Sequence, residues 1–244
     1  MATETERRPA FYALASGGWR DYLTLLHAPY TAWHLAYVTI GAALSPEFRW
    51  SRLLPTVAAF FLAVGIGAHA LDELRGRPLR TRIPDGVLVG LAVISIAGAV
   101  AIGVVGAVTV NAWIGAFVAA GAFIVVAYNL ELVGGRFHDD FWFALAWGAF
   151  PLLTGNFAVA EELDETAVAG AAFAFALSLA QRHLSSRVRD VRRRVVGVTG
   201  TIERSDGSSA DLGPEDLMDV EESALRILAL ATVALAVALV MMRL

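Results

Sequence analysis

The sequence predicts an all-α fold, a polytopic transmembrane helix bundle of about seven spans, and three observations carry that reading. Hydrophobic residues make up 57% of the 244 positions and charged residues only 17%. Mean hydropathy is +0.61, and the apolar residues gather in blocks that reach or approach the ~20 residues a helix needs to cross a bilayer. Those blocks lack the alternation and frequent turns of a membrane β-barrel. The chain has no cysteine, which removes disulfides, thiolate metal sites and cysteine nucleophiles. All 19 basic residues are arginine, which removes Schiff-base chemistry.

Residues 1–29 are expected to form a cytoplasmic and interfacial segment. The start, Met1 to Arg8, is polar and carries no secretory signal, so the N-terminus is expected to be retained. Phe11, Tyr12, Trp19, Tyr22 and several leucines then lie among polar residues, a pattern suited to a helix at headgroup level.

The membrane core is placed at 30–184, in six spans. Pro29 opens the first (30–44) and Ser45-Pro46 ends it. The second (53–74) ends in Arg75, Arg77, Arg80 and Arg82. Spans three (86–105) and four (108–132) are rich in Gly and Ala, which lets helix backbones approach closely. In the fifth (141–159), Pro151 is expected to bend the helix, with Thr154 and Asn156 bonding the freed backbone groups. The sixth (166–184) is followed by a polar stretch, 185–222, read as a long cytoplasmic loop. A final span occupies 223–244.

Arginines crowd the loops after spans two, four and six, whereas the loop after span five holds Glu161, Glu162, Asp164 and Glu165. The positive-inside rule then places the N-terminus and the arginine-rich loops of a multi-pass cell-membrane protein in the cytoplasm. Residues 68–72 with Gly76-Arg77 also align with 127–131 and Gly135-Arg136, a hint of an internal hairpin repeat.

Candidate chemistry gathers one turn inside the same boundary. His69, Asp72 and Glu73 share one helix face, and such a cluster can bind a cation or remain a solvated helix end. His34, Glu131, Gln181, Arg182 and His183 recur at similar depth, so a ring of helices could turn them toward one cytoplasm-facing cavity. A buried histidine bonded to a backbone carbonyl is the plainer reading of His34, and snorkelling the plainer reading of Glu131 and Arg182. His138-Asp139-Asp140 reads more simply as a helix N-cap than as a ligand set. Trp142 and Trp147 suit either a greasy pocket or ordinary packing.

The run from Ala68 to Gly76, followed by Arg77-Pro78-Leu79, resembles the first aspartate signature of the UbiA superfamily of intramembrane prenyltransferases. Leu184 to Val191 resembles the second, with Ser186 where the leading aspartate is expected. The order of spans and loops is similar from about residue 22 to 195, including a tyrosine-containing loop, Tyr128 to Arg136, and a glycine-rich fifth helix. This resemblance implies a prenyl diphosphate donor, a hydrophobic acceptor or other lipid, and Mg²⁺ held by aspartates. Carried over, Asp72, Asp190 and His69 stand at the metal positions, with His69, Asp72 and Glu131 as catalytic candidates. Arg77, Arg136, His34, Tyr128, Arg182, His183, Arg187 and Arg189 are the substrate-binding candidates. Three carboxylates of the paired signatures are absent, and imidazole suits zinc or iron better than magnesium.

Three functions stay open on the sequence. One is a UbiA-like prenyltransferase. Another is a catalytically diverged relative that binds a lipid or isoprenoid or scaffolds a partner. The third is a metal-dependent membrane hydrolase built on His34, His69, His183 and Asp72. No nucleic-acid partner is expected.

Overall fold

Short polar and proline-containing breaks divide the apolar blocks into separate helical rods, as each block is too long to fold back on itself. A computed structural model describes residues 8–244 of the chain. Its rods are α1 (Trp19–Leu25), α2 (Ala28–Leu44), α3 (Trp50–Leu74), α4 (Asp85–Thr109), α5 (Ile114–Asn129), α6 (Asp140–Ala160), α7 (Glu165–Arg194) and α8 (Asp219–Met241). Four of them, α3, α4, α6 and α8, are long and apolar enough to cross a membrane, which is compatible with an integral membrane bundle. The remaining apolar helix, α5, is shorter at 16 residues.

Local chemistry sets the ends. Asp139 and Asp164 cap α6 and α7, accepting from the N–H groups of Trp142 and Ala167 at 2.8 Å each. The N-cap reading of His138-Asp139-Asp140 is therefore the one the structure adopts. Ser45, ahead of Pro46, is extended and stops α2.

Two rods are not uniform α-helix. Phe61–Ala68 of α3 and Leu145–Ala149 of α6 are wound as π-helix. The widened turn in α6 ends at Ala149, two residues before Pro151. Thr154 bonds the Phe150 carbonyl within the helix, but Asn156 reaches across to the Gly41 carbonyl of α2. The carbonyl that Pro151 leaves without its helical donor is that of Trp147, and neither Thr154 nor Asn156 bonds it.

The closest backbone approaches lie between α2, α6 and α7. A β-carbon on Gly41 would stand 2.0 Å from the Leu152 carbonyl oxygen, and one on Gly155 would stand 2.1 Å from that of Val38. Gly148 meets the Ala174 carbonyl of α7 in the same way. Spans three and four were the expected place for such contacts. They make one close approach, at Gly103 of α4, where a β-carbon would stand 2.3 Å from a Val118 methyl of α5. Gly86 and Gly90 of α4 face open space, and Val93, Ile94, Val104, Val105 and Val108 are exposed along it, while α6 is the rod gripped from both sides.

Two sequence-based boundaries move. The polar loop assigned to 185–222 begins with helix, because α7 continues to Arg194 and its later turns carry Val188 and Val191 against Met218 and Leu225. A short antiparallel hairpin follows, β1 (Thr201–Glu203) with β2 (Ser209–Asp211). The buried Arg192–Glu222 pair then ties α7 to the start of α8. Over residues 8–27, the described part of the N-terminal segment ahead of α2, only α1 is helical. Ala10 and Ala13 turn inward to pack on Leu79, so this segment covers the bundle end instead of lying flat beside it. The polar start over residues 1–7 lies outside the described residues.

The Arg75–Ile83 loop is held by two carboxylates. Glu73 is fully buried and accepts from the N–H groups of Leu79 and Thr81 and from the Thr81 hydroxyl, at 2.8 to 2.9 Å. Asp21 accepts from the Arg82 and Gly17 N–H groups at 2.8 Å each. Glu73 is thereby a loop anchor, turned away from the face that carries Asp72.

Candidate functional site

At the end of the bundle beneath the N-terminal segment lies a polar cavity of about 290 Å³. His27, His34, His69, Asp72, Tyr128 and His138 line it, together with Gln181, Arg182, Arg189 and Arg193 of α7 and Phe11 and Tyr12 of the covering segment. Of the residues singled out from sequence, the structure thus brings together His34, His69, Asp72, Tyr128, His138, Trp147, Gln181, Arg182 and Arg189.

The histidines are oriented by backbone carbonyls. Pro151 has no N–H to offer the Trp147 carbonyl four residues earlier, and that oxygen accepts the Nδ1–H of His34 at 2.8 Å. His69 donates Nδ1–H to Gly65 at 3.1 Å and His138 to Tyr128 at 2.9 Å. Each ring is left with Nε2 as its free nitrogen. The plain reading of His34 holds, and the same bond fixes its ring at the cavity wall.

His27 was not singled out from sequence. Its backbone is left-handed, with φ of 46°, ahead of α2. That turn lays its ring flat on His69, and the Tyr12 hydroxyl meets its Nδ1 at 2.9 Å. Burial above all, then His69, Arg193 and Arg189, hold the His27 imidazole well below its ordinary 6.5. Burial likewise pushes the Tyr12 phenol well above 10.0. The sequence signal for His27 was faint, a histidine two residues before Pro29 in a stretch read as interfacial.

Charge on the lining is unbalanced. Arg182 pairs with Asp140 at 3.0 Å and lies over the Phe143 ring. Among the described residues Arg189 bonds only the hydroxyls of Ser185 and Ser186, at 2.9 and 2.8 Å. Arg193 has a buried Nε without a partner. Asp72 is the one carboxylate on the lining among the described residues, and no ion pair joins it to these arginines. The Tyr128 hydroxyl and the Gln181 side-chain amide oxygen are also buried without partners among the described residues. Buried polar groups normally find partners, so a cavity with several open ones is built for a polar guest.

Other candidates point elsewhere. Glu131 sits in a left-handed turn past α5 and pairs with Arg75 at 2.8 Å. Although it aligns with Asp72 in the suspected repeat, it leaves the helix before reaching the cavity. Arg77 bonds the Ile83 carbonyl at 2.5 Å and pairs with Asp85. His183 is exposed, 3.5 Å from Asp140, which leaves the hydrolase set of three histidines and Asp72 unassembled. Asp190 is exposed and lies 3.6 Å from Arg194, while Arg136 and Arg187 are exposed and off the lining.

The magnesium site implied by the resemblance is not matched by these donors. A hard dication needs several oxygen ligands, yet Asp72 stands alone and Asp190 is off the lining. Among the described residues no three His, Asp or Glu side chains are grouped to hold a metal ion. The facing guanidinium groups would repel a cation further.

A second, apolar cavity of about 490 Å³ runs between α3, α4, α5 and α6, walled by such residues as Phe60, Ile96, Phe117, Val118 and Phe150. Val64 and Trp147 line both cavities. They stand on the two π-helical segments, so the partition is carried by the widened turns. No family model, curated protein or solved structure matches the chain.

Proposed function

We propose that the chain is a seven-span, UbiA-like membrane prenyltransferase that moves an isoprenyl chain from its diphosphate to a hydrophobic acceptor. The observation that carries this reading is the shared wall. A cation-lined cavity and a larger apolar one meet at Val64 and Trp147, which fits a ligand with an anionic head and a long hydrocarbon tail. By the positive-inside rule the polar cavity and the N-terminal segment face the cytoplasm. In transfer, the donor C–O bond breaks and the diphosphate leaves with the electron pair. The acceptor bonds to the freed carbon and gives up a proton. Arg189 and Arg193 stabilise the leaving charge, while Asp72 and His69 are the groups placed to take the proton.

The test is incubation of the purified protein in nanodiscs with radiolabelled isoprenyl diphosphates of several lengths and a lipid-extract acceptor. A new apolar labelled product with release of diphosphate is expected. The lone carboxylate favours a second reading, in which the protein binds such an amphiphile without turning it over. Saturable binding with no product at any chain length would establish that one and defeat the first.

A further inference from the structure

Two guanidinium groups that face a half-enclosed cavity without a carboxylate partner among the described residues are an unusual expense. Ions in low-dielectric surroundings are normally paired, and an uncompensated buried charge is strongly destabilising. Arg189 spends its donors on two neutral hydroxyls, and Arg193 has no ion pair among the described residues. Self-repulsion adds to the cost, because Arg182, Arg189 and Arg193 all come from one face of α7.

Asp72 could have neutralised one of them, yet no bond or ion pair joins it to α7. The counter-charge missing among the described residues has to arrive with the ligand. It must also be large enough to meet more than one guanidinium. A diphosphate, with oxygens on two phosphorus atoms, offers such acceptors, and guanidinium forks match phosphate oxygens in pairs.

On the reading above, we infer that Arg189 and Arg193 bind the diphosphate of the isoprenyl donor directly, by charge-assisted hydrogen bonds and without a bridging divalent metal. The site does with fixed cations on α7 what a pair of aspartate-held ions would otherwise do. Asp72 is then a repulsive neighbour of the bound head group, not its anchor.

The sign of the Asp72 effect separates the two arrangements. A bridging metal would make Asp72→Asn weaken binding, whereas direct guanidinium binding makes the same change strengthen it. The experiment measures thermal stabilisation of the full-length protein in nanodiscs by geranylgeranyl diphosphate and by inorganic diphosphate, each with EDTA and with excess Mg²⁺. Geranylgeranyl diphosphate is expected to stabilise the protein equally well in EDTA. Arg189→Gln and Arg193→Gln are each expected to weaken binding about tenfold or more. Arg187→Gln, on the exposed side of α7, is expected to leave it unchanged, and Asp72→Asn to tighten it. Binding that requires Mg²⁺, or that Asp72→Asn weakens, overturns the inference while leaving the prenyl reading intact. If inorganic diphosphate binds in EDTA and the isoprenyl ester binds no more tightly, the guanidinium site stands and the prenyl reading falls. Should an arginine variant fail to fold, the Asp72→Asn and EDTA comparisons on folded protein still decide the matter.

Discussion

The imidazole rings of His27 and His69 stack 3.9 Å apart and within 5° of parallel, joining the covering N-terminal segment to the end of α3. Two stacked rings cannot both be charged at low cost, and Arg189 and Arg193 face the same cavity. The His27 imidazole is held below its ordinary 6.5, so the unfolded chain takes up a proton near that pH that the folded chain refuses. Stability is thus full above about pH 6.5 and declines as pH falls toward the depressed folded value. Thermal unfolding in detergent is expected to show this decline, and His27→Gln to flatten it. A variant profile parallel to the parent's would exclude His27 as its source.

Glu73 is a single acceptor for three donors of the Arg75–Ile83 loop. Glu73→Gln replaces one carboxylate oxygen with an amide that points N–H at N–H. A loss of about 2–3 kcal/mol is expected, as for other buried donors stripped of a charged acceptor. Trypsin cleavage after Arg75, Arg80 or Arg82 should accelerate in step. Unchanged cleavage would mean that the loop is held by other contacts.

Gly41 and Gly155 allow α2 and α6 to touch at the backbone. Gly41→Ala places a methyl group where a carbonyl oxygen already stands and is expected to cost about 2 kcal/mol or more. The same change at Gly90, which faces open space, is expected to be neutral or slightly stabilising through helix propensity. Equal melting shifts at the two positions would contradict the observed helix contact.

Arg192 and Glu222 form a buried pair between α7 and α8. Arg192→Met strands the carboxylate, with Arg226 at 3.6 Å as its remaining ion partner, and is expected to cost about 3 kcal/mol. The double change Arg192→Met with Glu222→Met should cost less than either single change. A double-mutant cycle in which the two losses simply add would show the pair to be uncoupled.

The rods were legible because apolar runs and polar breaks act over short distances. Asp139, Asp164 and Pro46 mark helix ends with groups that bond or block their own neighbours. The cavity was legible only in part. Asp72 and His69 could be placed on one helix face from spacing alone, but Glu131 follows the same spacing and is turned away by a left-handed backbone that nothing nearby in the sequence demands. His27 and Arg193 enter the site through a chain reversal and a helix that outruns its apolar portion. Both depend on tertiary packing, which periodicity does not encode. Asp190 lies off the lining for the same reason, since its rotation on α7 sends it to Arg194 and solvent.

The two π-helical segments make the partition a matter of counting. Each widened turn stores one residue beyond what an α-helix would use, and removing that residue from Phe61–Ala68 would let α3 relax to ordinary winding. Because the widened turn had absorbed that residue, His69 and Asp72 would keep their facing, and the change would fall on the partition itself, where Val64 stands between the two cavities. A chain of nearly identical composition, one residue shorter at that point, would keep the bundle and the polar cavity's lining and lose the widened wall.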